Sequence, residues 1–232
     1  YNAALPTAQI VLIFSSALMT LFLPLISKRK AEGKSTDEEN RFALRAIMFC
    51  TVPFLLVSIL FSQRIITILF GYKYSSGAIA LSLLVFAYFI YGLSMPAHNT
   101  ILMLKKQKKL LYVTLFVFVL NIVLNIILIP LSIQNFNNGT IGASMATAIS
   151  FLILGIITMR MASKYNNLNI FDDSSYKIIF SAFISLGIVY TFRKIIGSTD
   201  KIMFFVYLII YVAIYLFILY KVKFFEKKDM NL

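Results

Sequence analysis

"LLYVTLFVFVLNIVLNIILIPLSI", residues 110–133, carries no charged side chain from end to end. A helix needs about 20 predominantly apolar residues to cross the hydrocarbon core of a bilayer, and this run supplies them. It does not alternate polar with apolar residues, which sets aside a strand of a membrane barrel. Two amides interrupt it. Asn121 and Asn125 stand four apart, so they share one face of a helix. An unpaired amide in hydrocarbon costs several kcal/mol, so this face is expected to meet protein or water rather than acyl chains.

The rest of the chain repeats the pattern. It is 60% hydrophobic, with a mean hydropathy of +0.86. Ordinary soluble domains are less apolar and lack such runs in series. Seven spans are read from the sequence: 5–26, 43–61, 79–104, 110–133, 141–162, 178–196 and 202–220. The fold class is therefore all-α, a polytopic transmembrane helical bundle. Gly92 and Pro96 interrupt the long third span, where a tilt or kink is expected because proline removes a backbone bond.

The formal net charge of +13 lies between the spans, so it points to membrane topology and not to nucleic acid. "SKRKAEGKSTDEENRF" (27–42), "KKQKK" (105–109), the residues around Arg160, Lys164 and Lys177, and the tail with Lys221, Lys223, Lys227 and Lys228 fall on one side if the spans alternate. The other side holds five of the 22 basic residues: Arg64, Lys73, Arg193, Lys194 and Lys201. This asymmetry predicts the N-terminus outside and the C-terminus in the cytoplasm, with the chain multi-pass in the cell membrane.

Pro130 is expected to end the regular part of the fourth span. The fifth span opens with Gly139, Gly142, Ala143, Ser144 and Ala146. Gly142 and Ala146 have the small-xxx-small spacing that lets helices approach closely, so the fourth and fifth spans should form a tight hairpin. "NGT" at 138–140 matches a glycosylation acceptor. Asn and Gly beside a bilayer read more readily as a tight turn. Cys50, the single cysteine, is expected to be an inert residue within an apolar run. No His/Cys cluster supports a metal, and no cofactor is implied.

Several stretches occur in a telling order. "NxxxNxxxIP" (121–130) is followed by "GxxGASxAT" (139–147). Before them come "YNAAL" (1–5), "LFLPLIS" (21–27), "ILFGYKY" (68–74) and "LMLKKQKKLLYV" (102–113). Together they resemble the lipid-linked polysaccharide flippases of the multidrug/oligosaccharidyl-lipid/polysaccharide exporter superfamily. One departure is that lysines replace the small residues and glycine usual in the inner loop at 105–109. The resemblance implies fourteen helices in two lobes around a cavity, through which a lipid-linked sugar crosses by alternating access. It implies that this chain is the C-terminal half, starting near the eighth helix. That agrees with a start at Tyr1 rather than Met. Residues 1–162 would supply five lobe helices. Residues 163–232 would supply two peripheral spans and a tail, and those spans help form a lipid-tail groove in one branch of the family. The expected partners are a polyprenyl-linked glycan, membrane lipids and the N-terminal lobe.

Six residues are candidates for lining the substrate cavity. Arg45 and Arg64 bracket the second span and have the planar fork that suits a pyrophosphate, though either can instead reach an interface. His98 and Asn99 follow Pro96, where freed backbone groups invite polar partners. Asn121 and Asn125 can face the cavity or bond to a neighbouring helix. Other classes fit less well. A drug exporter would be expected to use acidic cavity residues, and none falls within these spans. A peptidoglycan-precursor flippase is harder to separate. A retinal-type receptor needs a lysine in mid-helix, whereas Lys201 and Lys221 sit at the ends of the last span. No cluster of acid, base and nucleophile supports an enzyme.

Overall fold

The computed structural model describes residues 1–164, 173–196, 201–222 and 224. Its helices are α1 (Ala4–Ala31), α2 (Asp37–Leu60), α3 (Ser62–Phe70), α4 (Ala78–Met103), α5 (Gln107–Phe136), α6 (Gly139–Ser163), α7 (Asp173–Ile196) and α8 (Lys201–Lys221). A 3-10 turn over Tyr72–Gly77 leads into α4. Among the described residues, seven helices are long and apolar enough to cross a bilayer. The chain is an all-α, multi-pass membrane protein. The tail lysines 223, 227 and 228, used above for orientation, lie outside the described residues, as does the side chain of Lys201.

Helix α4 is the central element and packs against α1, α2 and α6. Close approach is arranged by glycines. A side chain at Gly92 would strike Ser15 of α1, which is itself fully buried. A Cβ at Gly155 of α6 would meet Ile90 of α4. In the hairpin, a Cβ at Gly142 would collide with the Leu128 carbonyl of α5. The Gly142 amide donates to Ser132 Oγ at 3.1 Å. The expected tight α5–α6 hairpin is present, and its turn is built as the composition suggests. Asn137 takes the left-handed conformation at φ 51°. Asn138 caps α6 by accepting from the Thr140 amide at 3.0 Å and donates to the Ser76 carbonyl.

One expectation about a helix end needs correction. Pro130 does not end the fourth span; α5 continues to Phe136. Breaking the helix at that depth would bare several backbone groups to lipid, whereas proline forfeits only one bond. The second span ends at Leu60, within one residue of the expected end, and a separate nine-residue helix, α3, which the sequence reading did not draw, follows. Helix α4 likewise passes through Pro96 without interruption.

The last helix is less one-sidedly lipid-facing than its composition suggests. Tyr207, Tyr211, Tyr215 and Leu219 recur every four residues and are buried, while Ile209, Phe217 and Tyr220 on other faces are exposed. The tyrosine stripe solves a problem in α2. Pro53 has no N–H to give to the carbonyl of Phe49 one turn earlier. Tyr215 donates its hydroxyl to that carbonyl at 3.0 Å.

One buried core cluster gathers Ile26, Ala43, Ile101, Ala162, Ile178 and Leu219, with Leu110 packed against it. These residues come from the ends of α1, α4, α6 and α8 and the starts of α2, α5 and α7. The lysine-rich connections therefore share one end of the bundle. At that end Glu39, taken from sequence as a loop residue, is the third residue of α2 and is fully buried. Arg29 of α1 places Nε 2.7 Å from its Oε1.

Tyr215→Phe removes the hydroxyl donated to the Phe49 carbonyl and should cost about 0.5–1.5 kcal/mol, read as a fall in melting temperature in detergent. Tyr220→Phe, at an exposed position, should leave the melting temperature unchanged.

Candidate functional site

The open surface of α4 follows from its neighbours. Gly92 fits against α1, and Ser94 and Ile90 face α6 at Gly155. Leu93 and Ala97 pack into the cluster shared with α2. The remaining strip is Tyr91, Met95, His98 and Leu102, spaced at i, i+4, i+7 and i+11; none of the four is buried, and Met95 also touches that cluster at its edge. Helices α1 and α6 flank this strip without packing extensively on each other. The result is a groove floored by α4.

Its lining is aromatic and polar. Tyr91 stacks on Phe151 of α6 with ring centroids 5.0 Å apart. His98 meets the Tyr91 ring edge-on at 5.8 Å, and the Ser94 carbonyl lies 2.9 Å from His98 Nδ1. Deeper in the groove Tyr88 touches Phe151 at 5.6 Å. Gln9 of α1 donates to the Tyr88 hydroxyl at 3.2 Å. Asn99 lies half-buried beside His98 on the same helix. Such a wall offers ring faces and hydrogen-bonding tips, which is what a sugar ring uses.

The sequence singled out His98 and Asn99 as candidates and did not single out Gln9, Tyr88, Tyr91 or Phe151, which the fold brings beside them. The signal was present in "YFIYGLSMPAHN" (88–99). Once Gly92 is assigned to a close helix contact, the strip one step to its side is what stays open.

The other candidates stand elsewhere. Asn121 donates to Ser150 Oγ of α6 at 3.1 Å, and Asn125 donates to the Asn121 carbonyl and Oδ1 at 2.8 and 3.0 Å. This chain of bonds stitches α5 to α6, so the amide face of the opening stretch meets protein. Arg45 is half-buried in α2, near the lysine-rich end. Arg64 is half-buried on α3. The two arginines are separated by most of α2, roughly 28 Å of helix, and no single site holds both.

A second feature is an apolar groove of about 370 Å³ between α1, α2, α3 and α8, lined by Phe14, Phe54, Ile68, Phe205 and Leu208, with Cys50 at its wall. Among the described residues no group of three His, Cys, Asp or Glu side chains could hold a metal ion.

A family model described as lipid II flippase MurJ matches residues 1–217. The chain belongs to the MurJ family of lipid II flippases. A curated relative, a probable low-salt glycan biosynthesis flippase, Agl15, from Haloferax volcanii, is 22% identical over 208 residues. That match covers 89% of this chain and 43% of the relative, so the chain spans less than half the relative's length. No solved structure matches the chain. As a MurJ-family member with seven apolar helices, it is a multi-pass protein of the cell membrane.

A double-mutant cycle tests the Asn121–Ser150 bond. Asn121→Ala and Ser150→Ala should couple by about 0.6 kcal/mol, with a ceiling near 1.7 for interhelical bonds of this kind, in reversible unfolding of the purified protein. Independent effects of the two substitutions would remove the bond.

Proposed function

We propose that this chain forms one lobe of a flippase that moves a polyprenyl-linked glycan across the cytoplasmic membrane by alternating access. A sugar headgroup cannot enter hydrocarbon without leaving its polar groups unpaired, at several kcal/mol each. A water-filled passage between two lobes avoids that cost. The observation that carries the reading is the α4 strip of Tyr91, Met95 and His98, open between α1 and α6 and backed by Tyr88, Gln9 and Phe151.

In this reading residues 1–162 supply the lobe and residues 163–232 the peripheral helices and tail. A second lobe, upstream in the same protein, faces the α4 strip. The lysine-rich end faces the cytoplasm and α3 lies toward the outside, in keeping with the distribution of basic residues. His98 and Asn99 contact the headgroup, and Arg45 offers a cation to the pyrophosphate from the cytoplasmic end. The polyprenyl tail stays in the bilayer beside α8, where the apolar groove gives it a channel. The protein's work is transport and requires no bond to be made or broken.

Two cargoes fit. The family description favours a peptidoglycan precursor, and the Agl15 relative favours a glycan for surface glycosylation. Both present a sugar on a polyprenyl phosphate, so the same strip serves either. A multidrug exporter fits less well, because no carboxylate lines the strip among the described residues.

The test is glycan export in cells that depend on the intact protein. Tyr91→Ala and His98→Ala should each reduce export tenfold or more at unchanged membrane abundance. Val123→Ala, on the exposed face of α5, should export normally. Full export by both strip variants would overturn the proposal.

A further inference from the structure

The groove on α4 leaves another polar cavity unused. It measures about 620 Å³ and opens at the end of the bundle away from the lysine-rich connections, between α3, the start of α4 and the last turn of α7. Two arginines from different helices converge on it: Arg64 of α3 and Arg193 of α7. Gln63, Thr67 and Ser62 add polar groups, and no Asp or Glu lines it among the described residues.

Helix α3 explains how the arginine is brought there. In "SQRIITILF" (62–70), Gln63, Arg64 and Thr67 share one face, which lines this cavity. Ile65, Ile68 and Leu69 lie on the opposite face, which lines the apolar groove toward α8. A short helix with this division sits where membrane meets water. Arg193 is held by its own contact, with its guanidinium carbon 5.1 Å above the ring of Phe61. A guanidinium lying over a ring keeps its N–H groups pointing outward along its edges. The Phe61 ring is buried, so this arginine has a fixed base.

The cavity is not a purely polar one. Leu60 and Ile79 line it and are exposed large apolar side chains. A small soluble anion has no use for them. A lipid does, because its phosphate needs the arginines while the first carbons of its chains need an apolar rim.

We infer that this cavity binds the phosphate headgroup of an anionic membrane lipid, with Arg64 and Arg193 as its ligands and Leu60 and Ile79 against its chains. The site is separate from the α4 groove, and it stands or falls without the flippase reading. It would anchor the α2–α3 corner and the end of α7 to the lipid surface.

Native mass spectrometry of the intact protein, titrated with phosphatidylglycerol, tests the site. Phosphatidylcholine and inorganic phosphate are the comparison ligands. Arg64→Gln combined with Arg193→Gln should weaken phosphatidylglycerol binding tenfold or more and leave phosphatidylcholine binding unchanged. Lys28→Gln, exposed at the opposite end of α1, should change neither. Should the double variant fail to fold, Thr67→Phe fills the cavity without removing charge and carries the same tenfold expectation. Phosphatidylglycerol binding within twofold of the parent in the folded variant would overturn the inference. Inorganic phosphate displacing the lipid at equal concentration would also overturn it, because the apolar rim would then contribute nothing.

Discussion

In hydrocarbon, helices gain little by pressing leucine against leucine, since lipid tails are equally apolar. What holds this bundle is close approach of backbones, together with hydrogen bonds among polar groups that the approach brings inside. Helix α4 meets α1 at Gly92 and Ser15 and meets α6 at Ile90 and Gly155. Helix α6 meets α5 where Gly142 lies on the Leu128 carbonyl and bonds to Ser132. Helix α8 adds a hydroxyl to the carbonyl that Pro53 leaves open in α2. Glycines set the approach in three of these contacts, and a hydroxyl from the neighbouring helix completes two of the four, Ser132 at Gly142 and Tyr215 at Phe49.

The proposed site is a consequence of this packing. Because α1 and α6 grip α4 on two sides and α2 on a third, one strip remains, and the sequence places rings and an imidazole there. The amides that first drew attention in α5 are spent on holding α6. The cations divide between the two ends. Arg29 is paired with buried Glu39 at one end, while Arg64 and Arg193 line a cavity at the other. On the proposed reading, headgroup recognition, lobe cohesion and lipid anchoring use different residues of one bundle.

Much of the fold was legible because a run of about 20 apolar residues admits few alternatives. All seven crossings were found, and the α5–α6 hairpin followed from Gly142 and Ala146. Helix α3 was hidden for a physical reason: nine residues with Arg64 among them register as a loop in hydropathy. Pro130 misled because the rule that proline stops a helix presumes water to take up the freed groups. Glu39 lay in a charged stretch that looked solvated, although "TDEE" (36–39) had the spacing of a helix start. The α4 strip was half legible. His98 and Asn99 stood out as polar residues in an apolar run, but Tyr91 and Phe151 looked like any membrane aromatics until the helices on either side were placed.

The central claim is that the α4 strip meets water, whereas the outer face of α5 meets lipid. It is tested by single cysteines at Met95 and Val123 in a Cys50→Ser background, treated in native membranes with a small charged thiol reagent. The account predicts that the cysteine at 95 reacts and the one at 123 does not. Reaction at 123 with 95 protected would contradict it.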